Sequence, residues 1–238
     1  MILLSITLAL FGDITKASDP ENLRSSITQK PLCIEKPNAG SIRETFERYS
    51  IPDSEILARL VFAEGVSTNY RSHPNCKGKA KGIFTSIAWG VMNRVRMGKR
   101  SSHLQKRYGK GINGVIFKRG QFNPALSPRS RFAPLFLCPS NYKGFSKEWP
   151  LSRLAVREAL SNQRVNPFLT TKWEKKNQLS LVSHFYYPLS TQATKKPPHW
   201  ADTSASSKSF VGDFVLNGET ISNRCIWFFR LETPDAIR

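Results

Sequence analysis

The sequence predicts an α+β fold, in which helices come first and a small antiparallel sheet follows in the C-terminal half. In four stretches between residues 42 and 161, apolar residues recur at the three- and four-residue spacing of amphipathic helices. After residue 162 the pattern changes to alternation, in segments rich in aromatic and β-branched residues. Helices and strands that occur in separate blocks are typical of α+β proteins rather than of doubly wound folds.

Four helices and three strands are predicted. The helices cover 42–49, 53–65, 83–97 and 151–161, and the strands cover 179–187, 210–216 and 224–231. Asp53 or Ser54 can cap the second helix, and Gly65 and Gly98 are expected to end the second and third helices. Between 98 and 150, Gly and Pro are too frequent for elements to be predicted.

Composition limits the class of protein. The 238 residues contain 36 Lys and Arg against 17 Asp and Glu, which gives a net charge of +19, and 39% of the chain is apolar. That apolar content is too high for a disordered polycation, and the glycines follow no collagen-like period. No apolar run beyond the N-terminus is long enough to cross a bilayer. The composition is typical of a basic globular protein of one or two domains.

The N-terminus and the cysteines indicate export. Residues 1–17 resemble a signal peptide, because an apolar run of suitable length precedes the small residues Thr15 and Ala17, at the positions that a cut after Ala17 requires. A buried N-terminal helix is the alternative. The cysteines at 33, 76, 138 and 225 can form two disulfides in any of three pairings, as in an oxidising compartment. None of them has the close spacing of a zinc site. A periplasmic or extracellular location is therefore predicted.

The positive charge is concentrated in one stretch. Residues 65–147 contain no Asp or Glu and 17 Lys and Arg. Such a surface attracts polyanions, including nucleic acid, anionic wall polymers and anionic lipid. The sequence contains no recognisable nucleic-acid-binding motif, and export would separate the protein from the genome. A merely solvated basic face is the simplest alternative.

Glu64 is the strongest catalytic candidate. It follows Leu57, Leu60 and Val61 at positions i+7, i+4 and i+3, so it shares the apolar face of the second helix. Burial among apolar side chains raises the pKa of a carboxyl group and keeps it protonated near neutrality, as a general acid on a glycosidic oxygen requires. The alternative is a side chain that turns to solvent or pairs with a nearby Arg.

An ordered series of short words gives a more specific indication. The words are Leu57-Ala58-Arg59-Leu60-Val61-Phe62-Ala63-Glu64, Ser86-Ile87-Ala88-Trp89-Gly90-Val91-Met92-Asn93-Arg94-Val95, Gly114-Val115-Ile116, Gly120-Gln121-Phe122-Asn123, Ala155-Val156-Arg157-Glu158-Ala159-Leu160-Ser161, Ser183-His184-Phe185-Tyr186 and Pro198-His199-Trp200. In this order and spacing the series resembles the SleB/CwlJ-type cell-wall hydrolases. The resemblance covers roughly residues 55–230.

The resemblance implies a lysozyme-like domain that cleaves peptidoglycan between N-acetylmuramic acid and N-acetylglucosamine. Members act as lytic transglycosylases with one essential Glu, which is Glu64 here. The family often places a second acid shortly after that Glu, whereas this chain continues Gly65-Val66-Ser67. The resemblance assigns 51–238 as the catalytic domain, while the residue pattern itself assigns 1–17 as a signal peptide and 18–50 as a lead-in segment.

A lytic transglycosylase needs a single carboxyl group, because the 6-hydroxyl of the substrate's own muramic acid attacks the anomeric carbon. Hydrolysing glycosidases commonly need two. A second acid could still come from Glu148, Glu158, Asp202 or Asp213, which leaves inverting hydrolysis open.

The expected substrate-binding residues are Asn93, Gln121, Phe122, His184 and Tyr186, with Trp200 as a further aromatic candidate. For Gln121 and Phe122, a turn residue and a core ring are equally good interpretations, and for His184 a structural role is the favoured interpretation. No cofactor or metal is predicted. The expected partners are peptidoglycan glycan strands and other anionic wall polymers, with no specific nucleic acid and no integral membrane protein. The rival hypothesis is an exported cationic protein that binds wall polymer or nucleic acid without catalysis.

Overall fold

A computed structural model of the chain describes residues 29–38, 40–161, 165–190 and 208–231. It confirms the α+β class, with helices throughout the N-terminal two thirds and a small antiparallel sheet in the C-terminal half. The predicted signal peptide and the Pro198-His199-Trp200 word lie outside the described residues.

The helices are α1 (Ile42–Arg48), α2 (Asp53–Ser67), α3 (Ala80–Arg100), α4 (Ser102–Tyr108), α5 (Gly111–Ile116), α6 (Asn123–Leu126), α7 (Ala133–Leu137), α8 (Phe145–Leu160) and α9 (Lys172–Asn177). Two 3₁₀ turns, Tyr70–Ser72 and Pro139–Asn141, lie between them. The irregular region predicted between 98 and 150 is thus a series of short helices. Helix α8 begins six residues before the predicted start, with Pro150 inside it.

The strands are β1 (Val182–Tyr186), β2 (Lys208–Phe210), β3 (Phe214–Leu216), β4 (Glu219–Ile221) and β5 (Trp227–Leu231). Strand β5 lies between β1 and β2 in an antiparallel sheet, and β3 and β4 form a separate hairpin. The single strand predicted at 210–216 is therefore wrong. The chain turns at Gly212, whose φ of +73° favours glycine, and its two halves join different sheets.

Helix α3 is the centre of the fold, since α2, α8 and β1 all pack against it. Gly90 allows the sheet to approach, because a Cβ atom there would lie 3.1 Å from the ring of Phe185 and 3.3 Å from that of Phe228. The prediction that Gly98 ends this helix is wrong. Gly98 packs against the backbone of Gly109, and the helix continues to Arg100.

Helix α2 is buried along almost its whole length from Ile56 onward, so it is a core helix rather than an amphipathic surface helix. Its predicted end at Gly65 is wrong by two residues. A Cβ atom at Gly65 would lie 2.7 Å from the ring of Phe84, so this glycine serves a close contact between α2 and α3. Pro52 takes the N-cap position, and neither Asp53 nor Ser54 caps the helix.

The described part of the lead-in segment belongs to the same core. Ile34 and Phe46 are buried in it, and a disulfide joins Cys33 to Cys138. The fully buried Arg59 of α2 donates hydrogen bonds to the carbonyl oxygens of Leu32 (2.5 Å) and Leu137 (2.7 Å). These contacts attach residues 29–38 firmly to α2 and to the end of α7.

A second disulfide, Cys76–Cys225, ties the loop before α3 to the chain just before β5. The expectation of two disulfides is confirmed, and all four cysteines are used. Among the described residues, no helix has the length and apolar character needed to cross a membrane.

Candidate functional site

The last turns of α2 bring Glu64 to the wall of a cavity of about 380 Å³. The opposite walls come from the segment before α6 and from β1 with the residues after it. The lining residues are Glu64, Ser67, Arg94, Gly120, Gln121, Phe122, Asn123, Pro124, Phe132, His184, Phe185, Tyr186, Tyr187 and Ser190. Glu64 is the only carboxylate among these described residues.

Glu64 is a buried acid, with only 7% of its surface exposed. Burial raises its pKa from about 4.5 to about 7, because the charged form loses its hydration. The Tyr187 hydroxyl and the positive charge of Arg94 act in the opposite direction and favour the carboxylate. The raised pKa predicted from helical spacing agrees with this arrangement.

Arg94 supplies a buried positive charge to the same cavity. Its Nε donates to the carbonyl oxygen of Ser183 at 2.5 Å, and its Nη1 donates to Oε1 of Gln121. The guanidinium carbon lies 4.7 Å from the centre of the Phe122 ring and 5.5 Å from that of Phe185. Burial lowers the pKa of Arg94 to about 10, which still leaves it charged at neutral pH.

Tyr187 is the third member of this group. Its hydroxyl is buried beside the Glu64 carboxyl group and the two interact, although their geometry falls short of a regular hydrogen bond. Burial, followed by the negative charge of Glu64, raises the pKa of Tyr187 well above its ordinary value. The hydroxyl therefore stays protonated and can donate toward the carboxylate.

Four of the five expected substrate-binding residues line the cavity: Gln121, Phe122, His184 and Tyr186. Gln121 is oriented by Arg94, and the ring of Phe122 is almost fully buried against that guanidinium. His184 is held on β1 by contact of its Nδ1 with Oγ of Ser183 at 2.8 Å.

Asn93 does not line this cavity. It is fully buried, donates from Nδ2 to the carbonyl oxygen of Val182 at 2.8 Å and accepts from Asn166 at 2.6 Å. Its position on α3 faces the sheet, so its visible contribution is to join α3 to β1. The expected contact between Asn93 and the substrate therefore stays a prediction.

The candidates for a second acid lie elsewhere. Glu148 is buried and bound by the Tyr70 hydroxyl (2.9 Å) and by Arg71. Asp213 accepts a hydrogen bond from the backbone of Asn223. Neither they nor Glu158 line the Glu64 cavity, and Asp202 lies outside the described residues.

Two residues of the site were not predicted as site residues: Tyr187, and Arg94, which was noted only within the residue word 86–95 and among the cations of 65–147. The signal for Arg94 was present, because it follows Ile87 by seven residues and Val91 by three, the same apolar-face spacing that identifies Glu64. Tyr187 has no such signal, since it follows the last residue of β1 and its direction depends on the turn that comes next.

No group of residues able to hold a metal ion occurs in the described part of the chain. Comparisons of the whole chain with family models, with curated proteins and with solved structures found no match. The resemblance to the SleB/CwlJ-type hydrolases therefore stays a prediction that depends on the residue words.

Proposed function

We propose that the protein cleaves the glycan strands of peptidoglycan as a lytic transglycosylase, with Glu64 as the catalytic acid and base. One observation carries this proposal. A single carboxyl group, with a pKa of about 7, lies in the wall of a cavity that contains no other carboxylate among its described lining residues. The resemblance of the residue words supports the same assignment.

The proposed reaction needs no water and no second acid. Protonated Glu64 gives its proton to the glycosidic oxygen as the bond from the muramic anomeric carbon to that oxygen breaks. The 6-hydroxyl of the same muramic acid then forms a bond to the anomeric carbon and gives its proton to the Glu64 carboxylate. The products are a strand with a 1,6-anhydromuramic end and a free N-acetylglucosamine end, and Glu64 is protonated again.

Arg94 and Tyr187 suit the second half of this cycle. The carboxylate that forms after proton donation is buried, and an isolated buried charge is costly. The fixed guanidinium and the Tyr187 hydroxyl both favour that charged form. We expect them to make the carboxylate accessible without making Glu64 an ordinary, fully ionised acid.

Export and the basic surface fit a substrate in the cell wall. Fourteen of the 17 cationic residues between 65 and 147 are exposed, whereas Arg94 is buried. Peptidoglycan and its attached polymers carry carboxylates and phosphates, so this surface would concentrate the protein on the wall. The two disulfides agree with an oxidising compartment.

The direct test is to incubate the purified mature protein with peptidoglycan sacculi and to identify the soluble products by mass. We expect products with 1,6-anhydromuramic ends, each one water lighter than a hydrolytic product. Glu64→Gln should reduce the rate by about 10²–10⁴-fold, the usual contribution of general acid–base catalysis. Glu47→Gln, at an exposed residue of α1, is the matched control.

Reducing muramic ends would instead show that water attacks, and full activity in Glu64→Gln would show that the catalytic residue is misassigned.

The exposed cationic stretch also supports a second candidate, a protein that binds anionic wall polymer without cleaving it. This alternative predicts sacculus binding but no soluble products from the wild-type chain. It also predicts that Glu64→Gln changes neither property, so the same pair of proteins separates the two functions.

A further inference from the structure

We infer that a second cavity, beside β5, binds another sugar of the same glycan strand, next to the part of the strand that occupies the Glu64 cavity. This inference rests on the proposed function. The cavity has a volume of about 390 Å³, and its principal lining residues are His73, Leu189, Phe210, Asn223, Arg224 and Trp227.

The two cavities share a wall. Tyr186 lines the Glu64 cavity and Trp227 lines the second one; they are cross-strand partners on β1 and β5, with ring centres 5.5 Å apart. Pro188 and Leu189, which line the second cavity, follow directly after Tyr187 of the first. A linear polymer that occupies the first cavity therefore meets the second next to it.

One side-chain and one backbone hydrogen bond hold the wall between the two cavities in place. The side-chain amide of Asn69 donates to the carbonyl oxygen of Leu189 at 3.1 Å, and the backbone N–H of Ser190 donates to that of Tyr187 at 3.2 Å. Asn69 lies just beyond the end of α2, on which Glu64 stands. The spacing of the two cavities is thus fixed relative to the acid, as a set of subsites for one polymer requires.

The chemistry of the second cavity suits an aminosugar. Phe210 is 39% exposed and meets the half-buried Trp227 edge to face at 5.9 Å, so apolar ring surface is available to the C–H face of a sugar. Arg224 is exposed at the rim and carries a charge that complements a lactyl or peptide carboxylate. A few polar groups around aromatic surface are typical of ligand cavities.

The test uses Glu64→Gln, which can bind strands without consuming them. Dissociation constants are measured by calorimetry for peptidoglycan glycan fragments of two lengths, a disaccharide and an octasaccharide. We expect the octasaccharide to bind at least tenfold more tightly than the disaccharide, and Trp227→Ala to reduce that ratio by about tenfold, the size of a good aromatic contact.

Val215→Ala is the matched control, because Val215 is an exposed apolar residue of the neighbouring hairpin that lines neither cavity. It should leave the length dependence unchanged. Phe210→Ala, at the exposed edge of the sheet, should act like Trp227→Ala and serves as the second variant if Trp227→Ala does not fold. Trp227→Phe should restore most of the length dependence.

Equal affinity for the two lengths would overturn this inference while leaving the proposed cleavage intact. If Trp227→Ala weakened the binding of both fragments by the same factor, the inference would also be overturned, because Trp227 would then have only a structural role. Binding of neither fragment, with no soluble products from wild-type protein, would overturn both proposals.

Discussion

Glu64 combines two properties that a group acting first as an acid and then as a base requires. Its pKa of about 7 makes both protonation states accessible at neutral pH. Burial alone would favour only the protonated form, and the opposing influence of Arg94 and Tyr187 restores access to the carboxylate. The balance among these three side chains, rather than Glu64 by itself, defines the candidate site.

A stability measurement can detect this balance without any substrate. The pKa of Glu64 is higher in the folded protein than in the unfolded chain, so its carboxyl group is protonated in both states below about pH 4. As the pH rises through 4.5 toward 7, the unfolded chain releases the proton first, and the folded state becomes relatively less stable. Above pH 7 the full penalty applies, about 3 kcal/mol for a shift of this size.

Glu64→Gln removes this titration. We therefore expect the variant to equal the wild type in free energy of unfolding near pH 4 and to exceed it by up to about 3 kcal/mol above pH 7.5. Urea denaturation across this pH range measures the difference, with Glu47→Gln as the control. A difference that does not change with pH would contradict a raised pKa at Glu64.

Tyr187→Phe tests the contribution of Tyr187 to this balance. Because the hydroxyl lowers the pKa of Glu64, its removal should raise that pKa further. A general acid is active only while protonated, so the loss of kcat/KM at alkaline pH should move to higher pH in the variant. The infrared band of the protonated carboxyl group reports the same shift without substrate. Tyr49→Phe, at an exposed tyrosine, should move neither measurement.

At the level of elements, the sequence predicted the strongly periodic helices and most of the strands but misplaced several ends. Gly65 and Gly98 illustrate the reason. A glycine that ends a helix and a glycine that admits a close neighbour look the same in a sequence, and the neighbours, Phe84 and Gly109, are identified only by the fold. The single strand predicted at 210–216 was wrong for a similar reason. One run of alternating residues can contain parts of two strands that belong to different sheets.

The candidate site, like the fold, could be predicted only in part from the sequence. Glu64 could be predicted because helical spacing placed it among core residues, and Gln121, Phe122, His184 and Tyr186 came from words of a resembling family. The pairing of Glu64 with Arg94 could not be predicted, because it depends on the packing of α2 against α3. The position of Asn93 outside the cavity could not be predicted either, because a polar residue on a helix near a site can equally well be buried and hold a strand.

Gly65→Ala tests the close contact between α2 and α3. The added methyl group would lie 2.7 Å from the ring of Phe84, and such overpacking costs about 1–3 kcal/mol, against a helix-propensity gain of about 1 kcal/mol. We expect a net loss of stability in urea denaturation and a changed pKa at the adjacent Glu64. Lys99→Ala, at an exposed position of α3, is the control, and a stabilised Gly65→Ala would contradict this packing.

At the level of the whole molecule, the two disulfides join parts of the chain that are far apart in sequence. Cys33–Cys138 closes a span of 105 residues and Cys76–Cys225 a span of 149. Each is expected to contribute about 2–4 kcal/mol, so reduction should lower the melting temperature markedly. Calorimetry of the oxidised and reduced protein measures this effect, and four free thiols in protein from its native compartment would contradict the assigned pairing.

The charge distribution gives the last prediction. Exposed cations dominate residues 65–147, whereas the single cation of the Glu64 cavity, among its described lining residues, is buried. Exposed charges act over a screening length of about 8 Å at physiological ionic strength, and buried ones are screened much less. Binding of Glu64→Gln to sacculi should therefore weaken steeply as salt rises, while binding of an uncharged oligomer of N-acetylglucosamine should change little. A pull-down of sacculi over a salt series, with calorimetry for the oligomer, measures both. Sacculus binding that stays constant from low to high salt would mean that cavity contacts, and not the basic surface, hold the protein on the wall.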